Sequence, residues 1–173
     1  MHTLLLEELF HLLQDKKMSK ILDAGSGRTS LRAISKAFPD VQVDAVVYPG
    51  DDRKLQSIEP LLTDKIQVLE RDICQTSIEG KYSLVVAHLL LGEVEKFGNE
   101  FQDLLEKLLA IESQYFIIID YVEDPVVDER MIGKVCEKNP YKIVKKIYRE
   151  CSEPQVWPDF VGYHNFGYLV ESI

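Results

Sequence analysis

The chain has 173 residues, of which 46% are hydrophobic and 28% are charged, and its formal net charge is −9. This size and composition predict one globular domain with a sizeable core and exclude a wholly disordered chain. The negative charge makes nucleic acid an unlikely partner and argues against anionic membranes, because both are bound by positively charged surfaces.

The cysteine and histidine pattern indicates neither a disulfide framework nor a metal site. The three cysteines are far apart and form no Cys-x-x-Cys pair, and no spacing of the four histidines suggests a set of metal ligands. Glu7 and Glu8 interrupt the apolar start of the chain, so we expect no signal peptide. These features favour a cytoplasmic protein.

Apolar patterns predict that helices and strands alternate along the chain. The leucines of residues 3–15 recur at helical spacing, so a helix is expected there. Strands are predicted over residues 19–23, 41–48, 65–69, 82–87 and 114–120. Further helices are predicted over residues 30–38, from Asp51 or Asp52 to Leu62 with a break near Pro60, over 101–111 and over 126–138.

The last third of the chain predicts a different arrangement. Residues 141–150 and 160–171 have the pattern of two strands, and nine residues lie between them. A parallel crossover needs a dozen or more residues, so the two strands are predicted to pair antiparallel. The whole pattern indicates an α/β fold whose mostly parallel sheet carries helices on both faces and closes with a hairpin.

A glycine-containing turn, Asp23-Ala24-Gly25-Ser26-Gly27, connects the first predicted strand to the next helix. Gly25 permits a sharp turn with positive φ, and Gly27 lets a ligand approach the backbone. The following helix presents free N–H groups to an anionic group, while Asp23 suits a positively charged amino group. A carboxylate near the helix and an ammonium near the acid describe a bound amino acid.

This turn resembles motif I of the class I S-adenosylmethionine-dependent methyltransferases, and the resemblance extends over about residues 18–173. Residues 70–73, 80–88, 91–94 and 163–168 are similar to later segments of the family. The resemblance implies a Rossmann-like fold, with a doubly wound seven-stranded sheet and an antiparallel C-terminal hairpin. It also implies S-adenosylmethionine as cofactor and an unidentified methyl acceptor.

The resemblance implies a set of site residues. The candidate cofactor-binding residues are Asp23, Gly25, Ser26, Gly27, Tyr48, Asp51, Asp72 and Ile73. Two of them have a structural alternative, because Tyr48 could simply cover the sheet edge and Asp72 could be a solvated loop carboxylate. The family's ribose-binding acid is missing, because Val47 and Tyr48 stand at the end of strand two; Asp51 or Asp52 is the candidate substitute. His88 is the candidate catalytic base, with a packed core histidine as the alternative.

Two functions follow from this resemblance. The first is a small methyltransferase, in which residues 1–173 form one domain and residues 1–17 an N-terminal accessory helix. The second is a non-catalytic S-adenosylmethionine-binding or scaffolding protein with a degenerate fold. A nicotinamide-dependent enzyme is disfavoured, because its diagnostic acid would end strand two. The sequence also allows assembly into a homo-oligomer.

Overall fold

A computed structural model describes residues 2–91, 101–122, 130–150 and 164–173 of the chain. The helices are α1 His2–His11, α2 Arg28–Ala37, α3 Asp52–Ile58, α4 Phe101–Leu109 and α5 Arg130–Lys138, with a short 3₁₀ helix over Glu59–Leu61. The strands are β1 Lys20–Ala24, β2 Gln42–Val47, β3 Ile66–Glu70, β4 Lys81–His88, β5 Glu112–Val122, β6 Tyr141–Glu150 and β7 His164–Ser172.

All seven strands form one sheet in the order β3-β2-β1-β4-β5-β7-β6. Strands β1 to β5 pair in parallel, whereas β7 lies antiparallel to both β5 and β6. The predicted doubly wound sheet and its C-terminal hairpin are therefore confirmed. Because β1 lies between β2 and β4, the strand order reverses there and opens a crevice at the carboxyl ends of β1 and β4.

The hydrophobic core has two halves, one on each face of the sheet. Neighbouring residues of a strand point to opposite faces, so Ile21 packs with α1, α2 and α3 while Leu22 packs with α4 and α5. Both side chains are fully buried. This double burial explains why the central strands are near-continuous apolar runs rather than alternating ones.

Helix α1 packs into the core rather than along the surface. Its buried apolar side chains, with those of the turn after it, are Leu5, Leu6, Leu9, Phe10 and Leu13. The helix contacts α2, β5 and β7. The contact with β7 is close at Gly167, where an added Cβ atom would lie 3.1 Å from Leu9 Cδ1. The role of residues 1–17 as an accessory element stays a prediction.

One predicted helix differs from the observed one for a clear reason. The helix expected to reach Leu62 ends at Ile58 and continues as the 3₁₀ helix, because Pro60 has no N–H for an α-helical bond. The first residues of the predicted helix 126–138 and strand 160–171 lie outside the described residues, and the rest of both is confirmed. No helix within the described ranges is long and apolar enough to cross a membrane.

A buried polar network stabilises the amino ends of the central strands. Lys20 Nζ lies 2.6 Å from Asp44 Oδ2, and the Tyr82 hydroxyl donates to the same oxygen at 2.8 Å. Burial, together with Asp44, raises the pKa of Tyr82 far above its usual range, so the phenol stays a donor. The network joins β1, β2 and β4 at the edge of the sheet opposite the glycine turn.

Candidate functional site

Asp23 is a fully buried carboxylate at the carboxyl end of β1. Its Oδ2 atom accepts hydrogen bonds from Ser26 Oγ at 2.5 Å and from Ser30 Oγ at 2.8 Å. Its Oδ1 atom has no hydrogen-bond partner among the described residues. Burial raises the pKa of Asp23 to about 6, although Ser26, Ser30 and Lys54 oppose that shift. The buried Oδ1 atom therefore lies beneath the glycine turn without a hydrogen-bond donor among the described residues.

The glycine turn follows Asp23 and has the predicted form. Gly25 has φ +71°, a conformation that side chains rarely adopt. The Ser26 N–H donates to the carbonyl oxygen of Val46 at 2.6 Å, which ties the turn to β2. Gly27 caps α2 with extended backbone, and no acidic residue lies in the first turn of that helix. The helix itself therefore carries no acidic side chain at its positive dipole end, and Asp23 is the carboxylate that lies beside it.

The segment after β4 lies over this turn. The Leu90 Cδ1 atom is 2.5 Å from the position that a Cβ atom on Gly25 would take. The segment is held to β5, because Leu89 N–H donates to the carbonyl oxygen of Ile119 and Leu91 N–H donates to Asp120 Oδ2. Leu89 has φ +55°, which is unusual for a leucine. The Leu90 side chain therefore packs against the backbone of the glycine turn.

His88 ends β4 on the same face of the sheet as Asp23. The strand register pairs Asp23 with Val86, so His88 lies one strand over and ~6.6 Å further along, given the rise of a β-strand. The side chain is 9% exposed. The structure thus places His88 at the predicted edge of the sheet but largely buried, and its catalytic role stays a prediction.

The remaining predicted cofactor residues lie around the turn in different environments. Tyr48 follows β2 and is 62% exposed. The Asp51 Oδ1 atom caps α3 by accepting from the Lys54 N–H at 3.0 Å. Asp72 Oδ1 accepts from the Cys74 N–H, and Ile73 is buried in the core. The ligand roles of these four residues stay predictions.

The structure also reveals polar residues near the site that the sequence analysis did not single out. Ser30 is the second hydroxyl donor to Asp23. Asp120 on β5 is a fully buried acid, and Asn165 on β7 is also buried but pairs with Tyr121, so it points to the opposite face of the sheet. Asp120 had a signal in the sequence, since it comes directly after the run Phe116 to Ile119 near the carboxyl end of β5, as Asp23 comes near the carboxyl end of β1. Among the described residues, no cluster of histidine, cysteine and acidic side chains suits a metal ion.

Comparison with known proteins identifies the fold. No family model matches the chain, and no similar sequence was found among curated proteins. The solved structures below are similar in fold at low sequence identity. The N-methyltransferase NodS from Bradyrhizobium japonicum, solved with S-adenosyl-L-homocysteine, has a TM-score of 0.70 at 15% identity, over 99% of this chain and 85% of NodS.

Two further solved structures also have a similar fold. A candidate S-adenosylmethionine-dependent methyltransferase from Listeria monocytogenes has a TM-score of 0.68 at 16% identity, over 98% of both chains. The 16S rRNA methylase ArmA has a TM-score of 0.58 at 16% identity, over 98% of this chain and 83% of ArmA. The chain therefore has the Rossmann-like fold of class I S-adenosylmethionine-dependent methyltransferases. A fold does not by itself define an activity.

Proposed function

We propose that this chain is a small S-adenosylmethionine-dependent methyltransferase that acts on an acceptor yet to be identified. The observation that carries the proposal is the open Oδ1 atom of Asp23, buried beneath a glycine turn at the point where the strand order reverses. A buried acceptor without a partner is costly, and a ligand that donates to it would offset the cost. The same proposal treats residues 1–173 as one methyltransferase-like domain in which residues 1–17 form the accessory helix.

The residues of the turn fit the amino-acid end of such a cofactor. The Asp23 Oδ1 atom accepts a hydrogen bond from the ligand's ammonium group. Ser26 and Ser30 hold the Asp23 carboxylate in place by donating to its Oδ2 atom. Gly27 leaves the backbone open to close approach, because an added Cβ atom there would meet only the Lys54 side chain within 4 Å. The α2 N–H groups attract the ligand's carboxylate.

Methyl transfer requires the protein mainly to orient the cofactor and the acceptor. When bound, S-adenosylmethionine supplies an electrophilic methyl group, so the protein has to align an acceptor with it. His88 lies on the same face as Asp23 and at the same edge of the sheet. It is our candidate to remove a proton from the acceptor, which is needed only where the acceptor must lose one.

A second candidate function is S-adenosylmethionine binding without catalysis. Two observations favour it. The end of β2 carries the buried valines Val46 and Val47 and no carboxylate for the ribose, and Leu90 covers Gly25. Such a protein would bind the cofactor but would transfer no methyl group to an acceptor.

Calorimetric titration with S-adenosylhomocysteine, S-adenosylmethionine and NAD tests the proposal. We expect both adenosyl ligands to bind and NAD not to bind. Gly27→Val should abolish binding, because a branched side chain would occupy the ligand's path. Gly133→Val is the matched control, since a Cβ atom there would meet no atom within 4 Å from outside its own helix among the described residues. Unchanged affinity in a folded Gly27→Val protein would contradict the site.

Methyl transfer separates the two candidate functions. Incubation with S-adenosylmethionine and fractionated small molecules, peptides and RNA should yield S-adenosylhomocysteine for the enzyme. Tight binding with no turnover on any acceptor class would favour the binding protein.

A further inference from the structure

Lys54 lies beside the glycine turn, although it belongs to a different part of the chain. It is on α3, and its side chain extends back toward the start of α2. Its Cε atom is 3.6 Å from the position that a Cβ atom on Gly27 would take. The helix that follows β2 therefore places a cation at the point where a ligand would cross the turn.

The ammonium group of Lys54 makes no hydrogen bond or ion pair with the described residues. Other lysines do have acidic partners, as Lys20 has Asp44 and Lys65 has Asp40. Lys54 is nevertheless half-buried, so its ammonium group loses part of its hydration without gaining a hydrogen bond or ion pair among the described residues. Its charge still reaches Asp23, whose pKa it lowers.

Two polar groups of opposite charge therefore lie near the glycine turn, and neither has a full set of hydrogen-bond partners among the described residues. The buried Asp23 Oδ1 atom needs a donor, and the Lys54 ammonium can only donate. A ligand across Gly27 therefore meets an acceptor on one side and a cationic donor on the other. A ligand with an ammonium group at one end and oxygen acceptors beside it complements both.

We propose that Lys54 binds an oxygen atom of the ligand seated on the glycine turn, and so selects ligands that carry an acceptor there. The inference rests on the proposed function, because it takes an adenosyl amino acid as that ligand. The acceptor is either a ribose hydroxyl or the carboxylate. Asp51 remains the other candidate for a ribose hydroxyl, with its Oδ1 atom capping α3.

The test compares two variants on the same helix turn. Lys54→Met removes the ammonium and keeps the length of the side chain, and Arg53→Met removes a neighbouring exposed charge. Lys54→Met should weaken S-adenosylhomocysteine binding about tenfold or more, the usual cost of losing a charged hydrogen bond. Arg53→Met should bind as the wild type does. Thermal melts check that both variants are folded.

A second ligand distinguishes the two oxygen sources. The probe 5′-methylthioadenosine has the ribose but no carboxylate. Equal weakening of both ligands by Lys54→Met assigns the contact to the ribose. Weakening of S-adenosylhomocysteine alone assigns it to the carboxylate. In the ribose case, removing the 2′- or 3′-hydroxyl from the probe should weaken wild-type binding and leave the variant unaffected.

Two results separate the failure of this inference from that of the proposed function. Wild-type protein that binds no adenosyl ligand would contradict the proposed function and this inference with it. Wild-type binding that Lys54→Met leaves unchanged or makes tighter would contradict the inference alone. In the tighter case, the ammonium competes with the ligand for Asp23.

Discussion

The side chain of Leu90 lies directly over Gly25, with its Cδ1 atom 2.5 Å from where a Cβ atom on that glycine would be. A Cβ atom there would force the Leu90 side chain to shift, and the φ of +71° already disfavours any side chain at this position. Leu90 therefore packs on the backbone of the glycine turn, which directly follows the buried Asp23.

Gly25→Ala should destabilise the protein more than Gly50→Ala does. Both glycines have positive φ, so each substitution costs about 1 kcal/mol or more in backbone strain. Only Gly25 adds the clash with Leu90, because nothing lies within 4 Å of a Cβ atom at Gly50. Urea denaturation measures both variants.

The Leu90→Ala background serves as the control for that clash. There the excess cost of Gly25→Ala over Gly50→Ala should disappear. An equal cost for the two alanines in the wild-type background would mean that Leu90 does not lie over Gly25.

The raised pKa of Asp23 predicts a specific pH dependence of stability. Its pKa is 3.8 in the unfolded chain and about 6 when buried, so the folded protein holds the proton more tightly. Stability from this group is therefore present below pH 4 and lost as pH rises through 6. Relative to wild type, Asp23→Asn should gain about 2–3 kcal/mol in unfolding free energy between pH 4 and 7.

Asp40→Asn provides a control of opposite sign. Lys65 lowers the pKa of Asp40, so that carboxylate stabilises the fold above its unfolded pKa and loses the effect as pH falls. Its asparagine variant should lose, not gain, stability relative to wild type as pH rises. A pH-independent difference for Asp23→Asn would show that burial does not raise the pKa of Asp23.

Tyr82→Phe should affect stability and leave ligand binding alone. It removes the hydroxyl donor to Asp44, which keeps its ion pair with Lys20, so the cost should be about 1 kcal/mol. The network lies at the amino ends of the strands, away from the glycine turn. A loss of S-adenosylhomocysteine affinity comparable to that of Gly27→Val would contradict this separation.

Much of the fold could be predicted because its signals are local. The run Phe116 to Ile119 indicates a buried strand, and the short connection before β7 indicates an antiparallel pair. The order acid–x–Gly–x–Gly predicted Asp23, Gly25 and Gly27 at one turn, and a helix beginning at Asp51 or Asp52 was also predicted. Each of these depends on residues close together in the sequence.

The rest of the site depends on contacts between distant segments. Leu90 meets Gly25 only because β4 pairs with β1, and Lys54 meets Gly27 only because α3 returns beside α2. A leucine after an apolar strand and a lysine on a short helix carry no signal of these contacts. Ser30 is similar, since a serine three residues into a helix indicates a cap more readily than a carboxylate partner.

The most direct measurement is the pKa of the Asp23 carboxyl, followed by carbon-13 NMR with and without ligand. The free protein should give a value of about 6. Saturating S-adenosylhomocysteine should lower it well below that, because the ligand's ammonium would pair with Oδ1. The probe 5′-methylthioadenosine, which has no ammonium, should not. An unchanged pKa with S-adenosylhomocysteine, or an equal drop with both ligands, would contradict Asp23 as the residue that receives the amino-acid end of the cofactor.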